Sequence, residues 1–438
     1  MKISVIGTGY LGATHAACMA ELGFDVVGVD VDHAKIQRLQ RGEVPFFEPG
    51  LEPLLRKHVE NGRLAFTTQL ADAAAWADVH FVCVGTPQRP GSLSADTSYV
   101  EAVVDGIAPH LRPGAVVVGK STVPVGTAAR LRERLQRGVG PDVDGELVWN
   151  PEFLREGHAV GDTLGPDRIV LGSVDGGGVA TLREVYAQAL GAGTPLLQTG
   201  LETAELVKVA ANAFLATKIS FINAMSEVCE ATGADVVELA DAIGQDERIG
   251  RRFLGAGLGF GGGCLPKDIR AFRARCNELG LNRSVAFLAE VDDVNLRRRS
   301  RTVALAHEML GGRVKDRRIA VLGAAFKPDS DDVRDSPALD VADQLYLRGG
   351  DVVVYDPQAT ETARRRSPDL VYAESLHEAV SGADLVMLLT EWPEFQMMDP
   401  DVVGDRVRQR KVVDGRNVLD MGEWRSAGWD LRALGRGA

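Results

Sequence analysis

Short apolar runs that end in glycine or aspartate alternate, early in the chain, with stretches whose apolar positions recur at helical spacing. Lys2–Gly7 is such a run, closed by glycine; Thr14–Leu22 follows with helical spacing, and Asp25–Asp30 is a second short run. Val79–Val84, Val116–Gly119 and Leu147–Trp149 carry the same strand signature further on, with helical or irregular segments between them. Strands alternating with helices predict a parallel sheet covered on both faces.

The texture changes near Leu201. From there to Thr232 the chain has no proline and places Leu206, Val209, Ala210, Ala213, Phe214, Thr217 and Phe221 at helical spacing, which predicts one long central helix. Gly255–Gly263 interrupts it, and a helical pattern resumes from about Asp268 to Leu310. At Arg317 the opening theme returns: Ile319–Leu322, then Gly323, a helix from Ser336, and Asp351–Tyr355 ending at Asp356. ADVHFVCVGTP at Ala77–Pro87 is echoed by ADLVMLLTEW at Ala383–Trp392. The expected fold is α/β, with two Rossmann-like doubly wound domains joined by a long central helix. The expected boundaries are 1–200 for a dinucleotide-binding domain, 201–312 for a helical segment and 313–438 for a second nucleotide-binding-like domain.

Composition narrows the function. With 438 residues, 45% of them hydrophobic and 25% charged, the chain has the make-up of a globular enzyme of several domains. A net charge of -12 argues against nucleic acid and against an anionic membrane surface, because both repel an acidic protein. Five cysteines with no CxxC pair make neither a disulfide framework nor a zinc site. Eight histidines form no HxxxH or HExxH arrangement, so no metal is expected. A strand beginning at the second residue leaves no room for a signal peptide, and no apolar stretch approaches the ~20 residues of a membrane span. A cytoplasmic location follows as the expectation.

Gly7-Thr8-Gly9-Tyr10-Leu11-Gly12 is G-x-G-x-x-G, between a strand and a helix, with a further strand ending at Asp30. The first glycine permits the tight turn, the second admits a pyrophosphate, and the third packs helix against strand. Asp30 is placed to accept hydrogen bonds from a ribose and to repel a 2′-phosphate, which favours NAD over NADP. Gly85-Thr86-Pro87 and Ser121-Thr122-Val123-Pro124 each follow a strand end, the edge where open α/β sheets bind ligands. An ordinary turn is the bland alternative for both.

Cys264 stands apart from the other cysteines. Cys18, Cys229 and Cys276 lie in helical patterns and Cys83 in a strand, as small buried hydrophobes do. Cys264 instead follows Gly259-Phe260-Gly261-Gly262-Gly263 and precedes Leu265-Pro266-Lys267-Asp268. Pro266 suits a first helical turn, so Cys264 is expected near a helix N-terminus, with Lys267 beside it, where thiolate is favoured. The glycines are expected to give a substrate access to the sulfur. Asp268, four residues on, is a candidate acid/base or water-orienting group, or simply a carboxylate favoured by the helix dipole. Lys208 and Asn212 share a face of the central helix, near its apolar positions; a snorkelling lysine and a surface asparagine are the alternative. Asn150–Gly157 places Glu152 and Glu156 just past a strand end, where a solvated acidic turn is equally compatible with the spacing. No tyrosine is followed four residues later by lysine, which removes the short-chain dehydrogenase pair.

Taken together these segments resemble the UDP-glucose/GDP-mannose dehydrogenase family over essentially the whole chain. The markers are GTGYLG at Gly7–Gly12, VGTP at Val84–Pro87, STVPVGT at Ser121–Thr127 and NPEFLREG at Asn150–Gly157. KVAANAFLA at Lys208–Ala216, GFGGGCLPKD at Gly259–Asp268 and GAAFKPDSDDVRDSP at Gly323–Pro337 complete them. The resemblance implies an NAD domain, a central helix that builds a homodimer, and a C-terminal domain that holds UDP. It implies a four-electron oxidation of UDP-glucose at C6 to UDP-glucuronate, through a thiohemiacetal and a thioester on Cys264. Lys208 and Asn212 would polarise the C6 oxygen, and Asp268 would orient water with help from Thr122 and Glu152. Substrate contacts are implied at Glu152, Phe153, Leu154, Lys208, Asn212 and Arg248, and also at Phe260, Gly261, Lys327 and Arg416. Cofactor contacts are implied at Gly7, Gly9, Tyr10, Leu11, Gly12, Asp30 and Lys35, and also at Thr86, Thr122, Glu156, Lys267 and Arg334. Gly263 stands where many relatives have serine, and the second glycine fingerprint, Gly323-Ala324-Ala325-Phe326, is degenerate.

The residues themselves leave alternatives open. GDP-mannose or a UDP-N-acetylhexosamine would be served by the same Cys264, Lys208 and Asp268, although GFGGGCLPKDIRAF resembles the UDP-glucose branch more. A single-step hydroxyacid dehydrogenase would use Lys208 and Asn212 and dispense with Cys264. A non-catalytic NAD-binding regulator would need none of the three.

Overall fold

The computed structural model describes residues 1–437, which pack as two compact units. The first comprises Met1–Ala211 with Arg270–Gly280, and the second comprises Asn212–Ile269 with the chain from Leu281 onward. The middle of the chain, expected as a separate helical segment, is therefore divided between them.

The first unit is built on β1 (Lys2–Ile6), β2 (Asp25–Val29), β3 (Leu64–Thr67), β4 (Val79–Val82), β5 (Val116–Gly119), β6 (Glu146–Trp149), β7 (Ile169–Gly172) and β8 (Leu196–Thr199). They form one sheet in the order β3-β2-β1-β4-β5-β6-β7-β8. The first six strands are parallel and doubly wound. The all-parallel expectation fails at β7, which joins β6 antiparallel through Trp149 and Gly172 before β8 continues parallel to it. Strand residues alternate between two cores: Val5, Phe81 and Val118 on one face, Ile6, Val82 and Val117 on the other. Because both faces are covered, these strands read as unbroken apolar runs. Each such side chain contributes about 1.5–3 kcal/mol by leaving water. Cys83 lies just past β4 rather than inside it, yet is buried as expected.

The second unit carries β9 (Arg318–Leu322), β10 (Asp351–Tyr355), β11 (Val371–Tyr372), β12 (Leu385–Leu388), β13 (Lys411–Asp414) and β14 (Asp430–Ala433). Their order, β11-β10-β9-β12-β13-β14, is that of β3-β2-β1-β4-β5-β6 over again. The likeness reaches single hydrogen bonds. Gly7 N–H donates to Val29 O and Gly323 N–H to Tyr355 O, both at 2.8 Å. Asp30 accepts from Thr8 N–H at 2.9 Å, and Asp356 accepts from Ala324 N–H at 2.7 Å. The internal repeat expected from the sequence is thus real.

The central helix runs from Leu201 to Thr232, as its unbroken helical spacing required. Its apolar positions do not form one stripe. Val209 and Ala213 are buried, whereas Leu206, Phe214 and Phe221 are exposed, with Phe214 at 68%. The helical pattern expected from about Asp268 to Leu310 is carried by two helices, Leu265–Glu278 and Phe287–Met309. Gly280, at φ +72°, ends the first, which is what a C-terminal glycine does. Among the described residues no helix is long and apolar enough to cross a membrane, and no cluster of His, Cys, Asp or Glu suits a metal ion.

Candidate active site

In the first unit the glycine motif takes its shape from close contacts. A Cβ on Gly7, whose φ is +91°, would lie 2.8 Å from Val84, and one on Gly12 would lie 1.8 Å from the Gly7 carbonyl. A Cβ on Gly9 would meet no protein atom within 4 Å. The position that should face a pyrophosphate is therefore the one the protein leaves open. The Tyr10–Glu21 helix begins here with no side-chain cap, so its first N–H groups point at that space. Tyr10 donates to Glu48, and the Gly157 N–H donates to both the Tyr10 hydroxyl and Glu48. Glu48, absent from the sequence reading, thus ties the glycine motif to the end of the Asn150–Gly157 turn.

Asp30 accepts from Thr8 N–H, from Asp32 N–H at 3.1 Å and from Lys35 Nζ at 2.8 Å. Burial opposes its charge, but Lys35 and these N–H groups outweigh burial and hold the carboxyl below its usual value. A carboxylate whose charge is favoured in this way, just past β2, would repel a 2′-phosphate.

The two loops at the strand ends are laced together. Thr86 Oγ1 donates to Thr122 O at 2.7 Å, and Ser121 Oγ donates to Val84 O at 2.7 Å. Beyond them Glu205, on the central helix one turn before Lys208, accepts from Gly126 N–H at 2.7 Å and Ala128 N–H at 2.6 Å. It thereby clamps the start of the Thr127–Gly138 helix. Burial raises its carboxyl from 4.5 to about 7, against the pull of both N–H groups. The folded chain then holds a proton that the unfolded chain releases between 4.5 and about 7, so stability falls as pH rises through that window. Thermal melts should show that decline in the wild type and a flatter one in Glu205→Gln; matching profiles would refute the assignment.

Glu152 was expected as a site carboxylate, and it is more constrained than a solvated turn. Its Oε1 accepts from Phe153 N–H at 2.7 Å and Leu154 N–H at 2.9 Å, while Oε2 faces Lys120 Nζ at 3.0 Å. Lys120 was not anticipated: it is 4% exposed at the end of β5. Phe153 carries Arg168, also unanticipated, at 3.9 Å from its ring centroid, and the half-buried Lys208 lies 5.5 Å from the same ring. Leu154 and Glu156 are half-buried on the same turn.

In the second unit Cys264 is exposed and immediately precedes the Leu265–Glu278 helix, whose first bond runs from Asp268 N–H to Cys264 O at 2.8 Å. Cys264 and Asp268 thus flank the first turn, as expected. Asp268 is 2% exposed; it accepts from Asn212 Nδ2 at 2.6 Å and pairs with Lys267 Nζ at 2.7 Å. Asp268 is therefore a clamped carboxylate, and Lys267 engages it. The other four cysteines are buried; burial pushes the thiols of Cys18 and Cys83 up to about 12 and raises those of Cys229 and Cys276.

The glycines before Cys264 have a reason other than substrate access. A Cβ on Gly261 would lie 2.3 Å from Asp335 O, one on Gly262 2.8 Å from the Phe326 ring, and one on Gly263 2.3 Å from the Arg334 guanidinium. The run is pressed against the body of its own unit. Its backbone polar groups are satisfied there: Phe260 N–H by Asn295 Oδ1 at 2.7 Å, Gly259 O by Arg416 at 3.1 Å, and Gly262 N–H by Arg334 O at 2.8 Å. A buried loop of this length holds Cys264 only because those partners exist. Arg416, expected to touch substrate, also donates to Leu389 O at 2.8 Å and pairs with Glu391 at 3.1 Å. Lys327 lies 5.7 Å from the Phe326 ring, Arg334 pairs with Asp332 at 2.6 Å, and Arg248 is exposed and paired with Asp246 at 2.6 Å.

Comparison with known proteins accounts for both units. Residues 1–190 match the NAD binding domain of the UDP-glucose/GDP-mannose dehydrogenase family, residues 202–297 its central domain and residues 320–421 its UDP binding domain. The chain is 44% identical over 439 residues to a UDP-glucose 6-dehydrogenase of Rhizobium meliloti (strain 1021), covering 100% of both. It is 41% identical to one of Bacillus subtilis (strain 168), covering 100% of this chain and 94% of the other. Among solved structures it resembles a UDP-glucose dehydrogenase from the hyperthermophilic archaeon Pyrobaculum islandicum, with a TM-score of 0.90 at 39% identity, covering 100% and 98% of the two chains. A UDP-D-ManNAc dehydrogenase from Pyrococcus horikoshii aligns at a TM-score of 0.86 and 27% identity, covering 100% and 99%. With its motifs, its repeated sheet and all three domain matches in agreement, the chain belongs to the UDP-glucose/GDP-mannose dehydrogenase family.

Proposed function

We propose that the protein oxidises UDP-glucose to UDP-glucuronate with NAD, through a covalent intermediate on Cys264. The observation that carries the reading is an exposed thiol at the start of a helix, one turn from a carboxylate buried against Asn212. Relatives 41–44% identical and aligned over the full chain are UDP-glucose 6-dehydrogenases, which supports the choice of sugar.

The open position at Gly9, the uncapped helix start and the charged Asp30 fit NAD, with Tyr10, Leu11, Lys35, Thr86, Thr122 and Glu156 as further contacts. When bound, NAD supplies the hydride acceptor for both oxidations. C6 gives up a hydride from its C–H bond and its hydroxyl gives up a proton, leaving an aldehyde. Cys264 Sγ then bonds to C6, and the carbonyl oxygen gains a proton to complete a thiohemiacetal. Loss of a second hydride and that proton leaves a thioester. Water adds at C6, the C–S bond breaks, and the acid departs as Cys264 thiolate is regenerated. Lys208 and Asn212 stabilise the oxygen as it gains negative charge, and Asp268 orients the water with Thr122 and Glu152. In function, residues 1–200 hold the cofactor, 201–312 carry the reacting side chains, and 313–438 grip the uridine diphosphate through Lys327 and Arg416. Phe214, Phe221 and Val228, exposed at 68%, 50% and 51% and seven residues apart, support pairing of the central helix with a second copy of the chain.

The test is a panel of initial rates of NADH formation. UDP-glucose should outrun GDP-mannose and UDP-N-acetylhexosamines, and NAD should outperform NADP roughly tenfold or more, as one repulsive polar contact allows. A faster rate with another nucleotide sugar would replace the substrate, and equal efficiency with both cofactors would remove Asp30 from its role.

A further inference from the structure

Lys120 is a buried cation whose surroundings explain why it is there. Its ammonium carries three N–H donors and meets three acceptors: Glu152 Oε2 at 3.0 Å, Asn150 Oδ1 at 3.1 Å and the Tyr186 hydroxyl at 3.4 Å. Asn150 is itself fixed, since its Nδ2 donates to Val170 O at 2.9 Å. The other titratable groups facing this cluster are His15, Cys18, Cys83 and Tyr186. Burial lowers His15 and raises the other three, so all four are neutral near pH 7. Lys120 and Glu152 therefore answer one another, and each would be an uncompensated buried charge alone.

Glu152 has about four acceptor positions on its two oxygens. Two on Oε1 are taken by the Phe153 and Leu154 N–H groups and one on Oε2 by Lys120. One position on Oε2 remains, and the side chain is 17% exposed. A surface glutamate would spend that freedom on bulk water. Here the carboxylate is fastened at every position but one.

We propose that Lys120 is a positioning residue for the reaction, fixing Glu152 so that the last acceptor position on Oε2 meets the reacting water or a sugar hydroxyl. The proposal rests on the assignment of Glu152 to the reaction made above. Lys120 touches neither substrate nor cofactor in this scheme. It acts by holding the carboxylate as an acceptor and by setting the turn that carries Phe153 and Leu154.

Lys120→Met keeps the aliphatic stem and removes the charge. It should lower kcat roughly 10²-fold near pH 7, the range for losing a positioned acid–base group, and activity should recover as pH rises and Glu152 ionises unaided. NAD affinity should stay at the wild-type value. Glu152→Gln should also lower kcat, but without that recovery. The double variant Lys120→Met/Glu152→Gln contains no lone buried charge. It should melt above either single variant and turn over no more slowly than Glu152→Gln. If Lys120→Met fails to fold, the comparison of the double variant with Glu152→Gln decides alone: equal kcat supports the proposal and a further fall overturns it. Wild-type kcat and pH profile in Lys120→Met, beside an impaired Glu152→Gln, would overturn the positioning role and leave the proposed reaction standing. Wild-type kcat in Glu152→Gln would remove Glu152 from the reaction and this proposal with it.

Discussion

Cys264→Ala is expected to form no UDP-glucuronate, while the wild-type enzyme should form about two NADH for each sugar consumed, as a covalent double oxidation requires. The expectation rests on a point of chemistry. Hydride leaves only from a tetrahedral carbon, so an aldehyde goes on to acid only after a nucleophile has added to it. Cys264 suits the task because it is exposed at the start of the Leu265–Glu278 helix, where the N–H groups of the first turn favour thiolate. No other cysteine can stand in: the remaining four are buried, with thiols raised above their usual value. Cys264→Ser should accumulate an ester, because an alkoxide leaves less readily than a thiolate. NADH stoichiometry combined with intact-protein mass spectrometry during turnover reads all three results. Full acid production by Cys264→Ala, or a single NADH per sugar in the wild type, would eliminate the covalent route and leave a single-step dehydrogenase in its place.

The fold was legible where structure is local. The opening strand–helix–strand unit, the central helix and β10 fall where apolar runs and helical spacing put them, because one covered sheet face or one helix face leaves its period in the chain. β3, β7 and β8 were not marked. Each has four residues, and β8 is largely solvent-facing, so a short run is all that distinguishes them from loop. The antiparallel entry of β7 is set by pairing across the sheet and leaves no trace in its own residues. The break after Glu278 carries a local signal, since Gly280 is a helix-ending residue, but the amphipathic pattern on either side reads straight through it. Helical spacing of the apolar positions in the central helix does not separate a face buried within the chain, as at Val209 and Ala213, from one left open, as at Phe214 and Phe221.

The site divides the same way. Motifs whose chemistry lies in consecutive residues, such as Gly7–Gly12 and Gly259–Asp268, announce themselves. Lys120, Glu205 and Glu48 do not. Each sits in an unremarkable setting, and each matters because folding sets it against groups distant in sequence: Lys120 against Glu152, Glu205 against Gly126 and Ala128, Glu48 against Gly157 and Ala159. A strand-end lysine reads as a snorkelling side chain until its carboxylate partner is known. Asp356 teaches the converse caution. It occupies the place of Asp30 in the second unit, is 2% exposed and is occupied by the N–H groups of Ala324, Ala325 and Trp392. An aspartate at the end of that strand therefore serves the fold as well as a ligand, and only the adjacent glycine motif, intact in one unit and degenerate in the other, separates the two uses.

Lys208→Ala should lower kcat by roughly 10²–10³-fold, the range for losing one preorganised donor to a developing oxyanion. Lys208 stands four residues before Asn212 on the central helix, half-buried, with its ammonium 5.5 Å from the centroid of the Phe153 ring. That contact is itself worth only about 0.5–1 kcal/mol at a partly exposed site, so its loss alone explains less than a tenfold change. The split between kcat and KM separates the two accounts. A donor that acts only as charge develops on the C6 oxygen lowers kcat and kcat/KM together, whereas a lysine that merely seats Phe153 against the substrate raises KM and leaves kcat in place. Lys208→Arg retains the charge but spreads it over a planar group, and should recover little of the lost rate. The melting temperature and NAD affinity of Lys208→Ala should match the wild type. Near-normal kcat in that folded variant would show that the ammonium plays no part in the chemistry and would leave oxyanion stabilisation to Asn212, which already spends one N–H on Asp268.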